Sequence, residues 1–271
     1  MARCVWVTDI HLNFVRDEGR RSEFFRSTKG CNPGVVLLSG DISEGPDVCR
    51  DLREIEAGVD RPILFVLGNH DFYRSSFRRV LSDVEQLVAD AEHLVYLSAS
   101  DPVKLTESTA VVGHDGWGDG RLGDLEGSAQ LESISDFFFI EEFAEMHWDR
   151  RQIRERIEAL GSRAAAHLRH VLRQALEQHR RVVVVTHVPP FREAARYDGK
   201  PSADDWLPFF ACKATGDVLL DAAHRWPDRE ILVLCGHTHG GGEVQVRENL
   251  RVLTGPAEYG KPQVNRVFEF D

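Results

Sequence analysis

Along the chain, short runs that are apolar at nearly every position alternate with longer stretches that are apolar only every third or fourth residue. The continuous runs fall at 3–7, 35–38, 62–67, 109–113, 182–185 and 231–235. A β-strand with one wet face would alternate, so continuous runs predict strands buried on both faces. Helical spacing predicts helices over 17–29, 47–57, 76–91, 150–179 and 214–225, the second starting at an Asp47 cap and ending at Gly58. Further strands are expected at 93–97, 103–105, 243–247, 250–254 and 264–270, with Gly240-Gly241-Gly242 as a turn before the last group. Strands of this kind alternating with helices predict an α/β fold whose sheets are covered by helices.

Two stretches, near 114–149 and 190–213, keep neither period. With no repeat, low-complexity tract or linker in view, the expectation is one domain over 1–271, these two segments capping it. Their Trp117, Trp206, Phe209 and Phe210 either line a substrate pocket or cover the core.

Composition narrows the partners. A formal net charge of -11 over 271 residues disfavours general nucleic-acid binding. No run approaches the roughly 18 apolar residues of a membrane span. The N-terminus reads as a strand, without a signal-peptide core, and the 5 scattered cysteines suit a reducing compartment, so a cytoplasmic location is expected.

The chemistry gathers where the apolar runs stop. Five of them end in Asp9-Ile10-His11, Gly40-Asp41, Gly68-Asn69-His70-Asp71, His187 and Gly236-His237-Thr238-His239. Open α/β sheets place their ligand sites at such strand ends. In extended chain, residues i and i+2 point one way, which would aim Asp9 with His11 and His237 with His239. Imidazole, carboxylate and amide donors suit Mn, Fe, Zn, Ni or Co. With Asp9 and Asp41 anionic and the other donors neutral, two divalent ions leave a formal surplus of about +2, enough for a hydroxide and a phosphate. Two ions ~3.5–4 Å apart can activate water and clamp an in-line displacement, and a carboxylate such as Asp41 is the natural bridge.

These five blocks, in this order from residue 9 to residue 239, resemble the calcineurin-like metallophosphoesterases. The resemblance implies a four-layer α/β/β/α sandwich of two mixed sheets flanked by helices, with a dinuclear metal site at the C-terminal strand ends. It implies one ion held by Asp9, His11, Asp41 and His239, and another by Asp41, Asn69, His187 and His237. Two divalent ions are expected, Mn or Fe favoured over Zn, Ni and Co. His70 would serve the leaving oxygen as a general acid, oriented by Glu44, which stands where the family's Gly-Asp-x-x-Asp-Arg-Gly block has its second Asp. The implied reaction is hydrolysis of a phosphodiester or phosphomonoester by a metal-bridging hydroxide, on a small ester such as a nucleotide or cyclic nucleotide.

Two departures bear on substrate. Gly45 replaces the Arg of that block, and Asp71 stands where protein Ser/Thr phosphatases have Glu. Both argue against a protein phosphatase and lean towards a phosphodiesterase. The competing class is a protein-binding scaffold that keeps the fold after losing ligands or the catalytic His; the intact ligand set and His70 argue against it. Asp71 is read either as a loop brace or as catalytic, and His114 either as a substrate contact or as a loop residue. His167, His170 and His179, on the long helix without an acidic partner at ligand spacing, are expected to be exposed.

Overall fold

The computed structural model describes residues 1–197 and 199–271; Asp198, inside the second irregular segment, lies outside the described residues. The first half runs β1 (Ala2–Val7), α1 (Glu18–Gly30), β2 (Val35–Ser39), α2 (Val48–Val59), β3 (Ile63–Val66), α3 (Phe77–Asp90) and β4 (Leu94–Tyr96). Next come β5 (Val103–Lys104), β6 (Thr109–His114), the one-turn helices α4 (Asp136–Phe139) and α5 (Glu141–Ala144), α6 (Arg150–Gln178) and β7 (Arg181–Thr186). A ribbon of β8 (Arg196–Tyr197) and β9 (Lys200–Pro201) leads to α7 (Leu207–Phe210), α8 (Lys213–Arg225) and β10 (Glu230–Cys235). The chain closes with β11 (Gly240–Arg247), β12 (Leu250–Pro256) and β13 (Arg266–Phe270).

One sheet has the order β13-β1-β2-β3-β4, parallel except for the β13 edge. The other has the order β11-β12-β10-β7-β6-β5, parallel through its centre and antiparallel at both edges. The continuous apolar runs now have their reason. In β1, Val5 and Val7 pack with Phe24, Leu52 and Val84 of the helices on one side. Cys4 and Trp6 face the opposite way and meet Val183, Val185, Leu232 and Leu234 of the second sheet. Val182 and Val184 in turn face Leu168 and Leu172 of α6 and Leu219 of α8. Helices, sheet, sheet and helices therefore form the four layers expected. Each fully buried Val or Leu contributes roughly 1.5–3 kcal/mol, so alternate residues of one strand stabilise two different interfaces. Val183→Asp would leave an unpaired carboxylate between the sheets and break that arrangement.

Several local expectations need correcting. Helix α2 runs past Gly58 and ends at Asp60, whose φ of 56° turns the chain. Asp47 starts this helix without capping it, because its carboxylate pairs with Arg50 at 2.7 Å. Gly240–Gly242 is no turn but the start of β11. A Cβ at Gly240 would lie 2.2 Å from the Arg196 carbonyl, so glycine there lets the β8 ribbon cross the strand. On α6, His170 is exposed as expected but His167 is half-buried, and His179, just past the end of that helix, is buried. His179 lies with Nδ1 3.3 Å from the Glu107 carbonyl.

The stretch 114–149 is irregular yet anchored, since Leu131, Ile134, Phe137, Ile140 and Phe143 join the core beneath α1–α3. Trp117 belongs to this core too, edge-on to Phe77 at 5.2 Å. Among the described residues, no helix is long and apolar enough to cross a membrane.

Candidate metal centre

β1, β2 and β3 of the first sheet and β7 and β10 of the second deliver their C-terminal residues to one point. Backbone bonds from Asp9 N to the Gly40 carbonyl and from His11 N to the Asp41 carbonyl, both 3.0 Å, lock the first two strand ends together. The pairing of Asp9 with His11 does not come from extended i, i+2 geometry. Asp9, His11, Asp41, His237 and His239 all have left-handed backbone, with φ of 48°, 41°, 52°, 71° and 57°. Such conformations cost about 1–3 kcal/mol each in a non-glycine residue and persist only where the surroundings hold them. Glycines make the crowding feasible: a Cβ at Gly68 would sit 2.1 Å from Asp41 Oδ1, and one at Gly236 2.0 Å from Asp9 Oδ2.

Two groups of donor atoms result. In the first, His11 Nε2 lies 3.1 Å from His239 Nε2 and 3.6 Å from Asp41 Oδ2, while His239 Nε2 lies 3.4 Å from Asp9 Oδ1. The ligand atoms of Asp9, His11, Asp41 and His239 all fall within 4.8 Å of one another. Asp9 is oriented by the His237 amide at 2.9 Å on Oδ1 and by the Thr8 hydroxyl at 2.6 Å on Oδ2.

In the second group, hydrogen bonding decides which atoms are free. His187 Nδ1 donates to the Ser39 carbonyl at 2.9 Å, so its Nε2 carries the lone pair. His237 Nε2 donates to the Phe209 carbonyl at 3.1 Å, freeing Nδ1. Asn69 donates from Nδ2 to Asp136 Oδ1 at 2.7 Å and to the Tyr73 hydroxyl at 3.0 Å, which turns its Oδ1 to the imidazoles. Asn69 Oδ1 lies 3.1 Å from His187 Nε2 and 3.0 Å from His237 Nδ1, and His187 Nε2 lies 3.3 Å from Asp41 Oδ1.

In this second group the facing atoms are lone pairs with no proton between them. Uncompensated, each such buried group costs about 1–3 kcal/mol. Ligands about 2.0–2.2 Å from one ion stand about 3 Å apart, so this donor set fits divalent metal ions in both spacing and chemistry. Asp41 offers Oδ2 to the first group and Oδ1 to the second. The charges agree. Burial, helped by the neighbouring imidazoles, drives His11 and His237 down to about 3 and lowers His187, keeping each ring neutral with one nitrogen free to bind a metal. Burial, then the Asp9 and Asp71 carboxylates, push Asp41 well above its usual range, a cost that a bound cation would reverse. Burial also opposes the Asp9 anion, yet the bond to His239 and the fields of His187, His239 and His11 hold it below the usual range.

His70 borders the same cavity, with Nε2 4.0 Å from Asp41 Oδ2 and its ring stacked on Tyr73 at 4.3 Å. The expected Glu44–His70 contact is not made. Glu44 is held by Arg74 and, at 3.2 Å, by Asn13 Nδ2, while His70 Nδ1 is buried with no hydrogen-bond partner among the described residues. Asp71 takes the bracing role: it accepts from the amides of Ile42, Ser43 and Gly68 at 2.9, 2.8 and 2.8 Å, tying the second strand end to the third. His114 turns away from the donors and packs 5.2 Å from His167. Its neighbour Asp115 instead braces the site from behind, accepting from Leu67 N at 2.7 Å, while its carbonyl accepts from His187 N at 3.0 Å.

Sequence reasoning missed Asp136 and Tyr73, which fix the Asn69 amide and bond to each other at 2.7 Å. Of the aromatics singled out, Trp206, Phe209 and Phe210 line the cavity over the donors and Trp117 does not.

The fold has solved counterparts. A phosphopantetheinyl hydrolase from Mycobacterium tuberculosis is similar over 95% of this chain and 90% of its own, with a TM-score of 0.63 at 15% identity. A dimetal phosphatase from Danio rerio is similar over 94% of this chain and 87% of its own, with a TM-score of 0.57 at 16% identity. No curated protein sequence matches the chain. The family model for calcineurin-like phosphoesterases matches residues 2–241, five strand-end blocks included, and the chain belongs to that family.

Proposed function

We propose that this protein is a metal-dependent phosphoesterase whose two divalent ions are held by Asp9, His11, Asp41 and His239 on one side and Asp41, Asn69, His187 and His237 on the other. Asp41 carries this conclusion, because its two oxygens face two separate groups of donor atoms, at 3.6 Å from His11 Nε2 and 3.3 Å from His187 Nε2. When bound, such ions lower the pKa of water far enough to supply hydroxide near neutral pH and screen the phosphate. The chain's own part is to fix the donors: Ser39 and Phe209 set the His187 and His237 tautomers, and Asp136 sets the Asn69 amide.

His70 lines the cavity and faces the same point. Burial, then His11 and His187, hold its pKa well below the usual range. It therefore acts as a hydrogen-bond donor to the leaving oxygen in preference to delivering a full proton. Among phosphoesters we favour a small diester. A side chain at Gly45 would meet Ser75 Cβ at 2.6 Å and the Tyr73 carbonyl at 2.9 Å, so no Arg fits where the protein-phosphatase block has one. Among the described residues lining the cavity there is no Lys or Arg to meet a dianion.

The test is turnover of bis-p-nitrophenyl phosphate and p-nitrophenyl phosphate by protein loaded with Mn or Fe, metal content measured in parallel. Faster hydrolysis of the diester, lost on chelation, is expected. Two bound ions with no hydrolysis of either ester would overturn the assignment.

A further inference from the structure

The cavity above the donors, about 240 Å³ in volume, has two aromatic walls and no fixed positive charge among its described lining residues. At the His11/His239 end, Tyr259 lies 4.5 Å from the His11 ring and 5.0 Å from the His239 ring, backed by Phe14 at 4.8 Å. At the His237 end, Phe210 meets the His237 ring edge-on at 5.3 Å and stacks on Trp206 at 5.2 Å, with 25° between planes. Both walls keep open surface: Tyr259 is 48% exposed, and Trp206 and Phe210, although packed against the core, are only half-buried. The second wall is also positioned relative to the chemistry. The Phe209 carbonyl that fixes the His237 tautomer belongs to the same short helix, α7, as Phe210.

A substrate bearing a second anionic group would meet Asp41 and Asp136 here and no cationic side chain among the described lining residues. A substrate bearing a flat ring would meet a ready stacking surface, since aromatic faces hold flat rings without needing a specific hydrogen-bond pattern. We propose that the Trp206/Phe210 face is a specificity subsite for the flat aromatic part of an ester that carries a single phosphate group. This rests on the phosphoesterase reading for the reaction, but binding can be tested without turnover.

The experiment compares phenylphosphonate with methylphosphonate, which share a head group and are not hydrolysed, by calorimetric titration of the Mn-loaded full chain. Wild-type protein is expected to bind the phenyl ligand roughly tenfold more tightly, about the contribution of one ring stacked on an aromatic side chain. Trp206→Ala should erase that preference and Trp206→Phe should restore most of it. Should Trp206→Ala not fold, Phe210→Leu provides the same comparison, with a reduced preference expected. Equal affinity of the two ligands in wild type, or a preference that survives Trp206→Ala, would overturn the subsite. So would tighter binding of a carboxyalkyl phosphonate than of phenylphosphonate. Selective phenylphosphonate binding without turnover of any phosphoester would support the subsite and count against hydrolysis, so the two failures are separable.

Discussion

Asp41 and Asp136 are both buried aspartates at one cavity, yet they reach it on different kinds of chain. Asp41 leaves β2 directly, its backbone left-handed, its carbonyl bonded to His11 and its carboxylate to the His70 amide at 3.0 Å. Asp136 opens the four-residue helix α4 within the irregular stretch 114–149 and meets the site through Asn69 and Tyr73 side chains alone. The strand ends therefore carry the donors on backbone that two packed sheets hold rigid. The overlying segments orient those donors and wall the cavity. On the proposed function, the sheets fix the chemistry and the segments above select what reaches it.

That contrast can be broken in order of effect. Removing the shared carboxylate should do most damage. Asp41→Ala is expected to abolish loading of both ions, seen by elemental analysis, and to cost several kcal/mol of transition-state stabilisation, at least roughly a thousandfold in rate. Two retained ions would refute its place between the groups. Next comes a strand-end residue that is no donor. His70→Ala should keep both ions while kcat falls roughly a hundredfold or more, the usual scale for a lost proton or hydrogen-bond donor at the leaving group. Loss of metal along with rate would move His70 into the ligand set.

The segment side should be gentler. Asp136→Ala frees the Asn69 amide and should weaken metal binding about 10–100-fold, the scale of an orienting partner. The first-group donors Asp9, His11 and His239 do not touch Asp136, so only one of two binding steps should weaken. Asp136→Asn keeps an oxygen acceptor and should recover most of that loss. If the alanine and asparagine variants behave alike, the carboxylate's charge matters and its hydrogen bond to Asn69 does not.

The same contrast explains what was legible in the sequence. Continuous apolar runs such as 182–185 announce strands with two buried faces, and a polar residue directly after such a run has few places to go but the sheet edge. Asp9, His11, Asp41, Asn69, His187, His237 and His239 were visible on that ground. The left-handed backbone of Asp9, His11, Asp41, His237 and His239 was not, because it depends on contacts between strand ends far apart in sequence. Asp136 gave no signal at all. Ser135-Asp136-Phe137 looks like any helix start, and its partner Asn69 is 67 residues away. Trp117 and Trp206 were indistinguishable as aromatics in irregular chain, yet one packs against Phe77 and the other lines the cavity.

Glu44 should give the smallest effect, and it tests how far block spacing can be read as contact. Its spacing from Asp41 suggested an orienting role for His70, but the carboxylate is engaged by Arg74 and Asn13. Arg74 has a side chain that is 67% exposed, so the pair is screened by solvent and worth at most about 1 kcal/mol. His70 is oriented by other means: its ring lies on Tyr73 and its amide bonds to Asp41. Glu44→Gln should therefore change kcat less than roughly threefold and leave the pH–rate profile in place, with thermal stability lowered slightly if at all. A shifted profile in that variant would mean that Glu44 reaches His70 during turnover, and that the block spacing reported a contact which forms only with substrate bound.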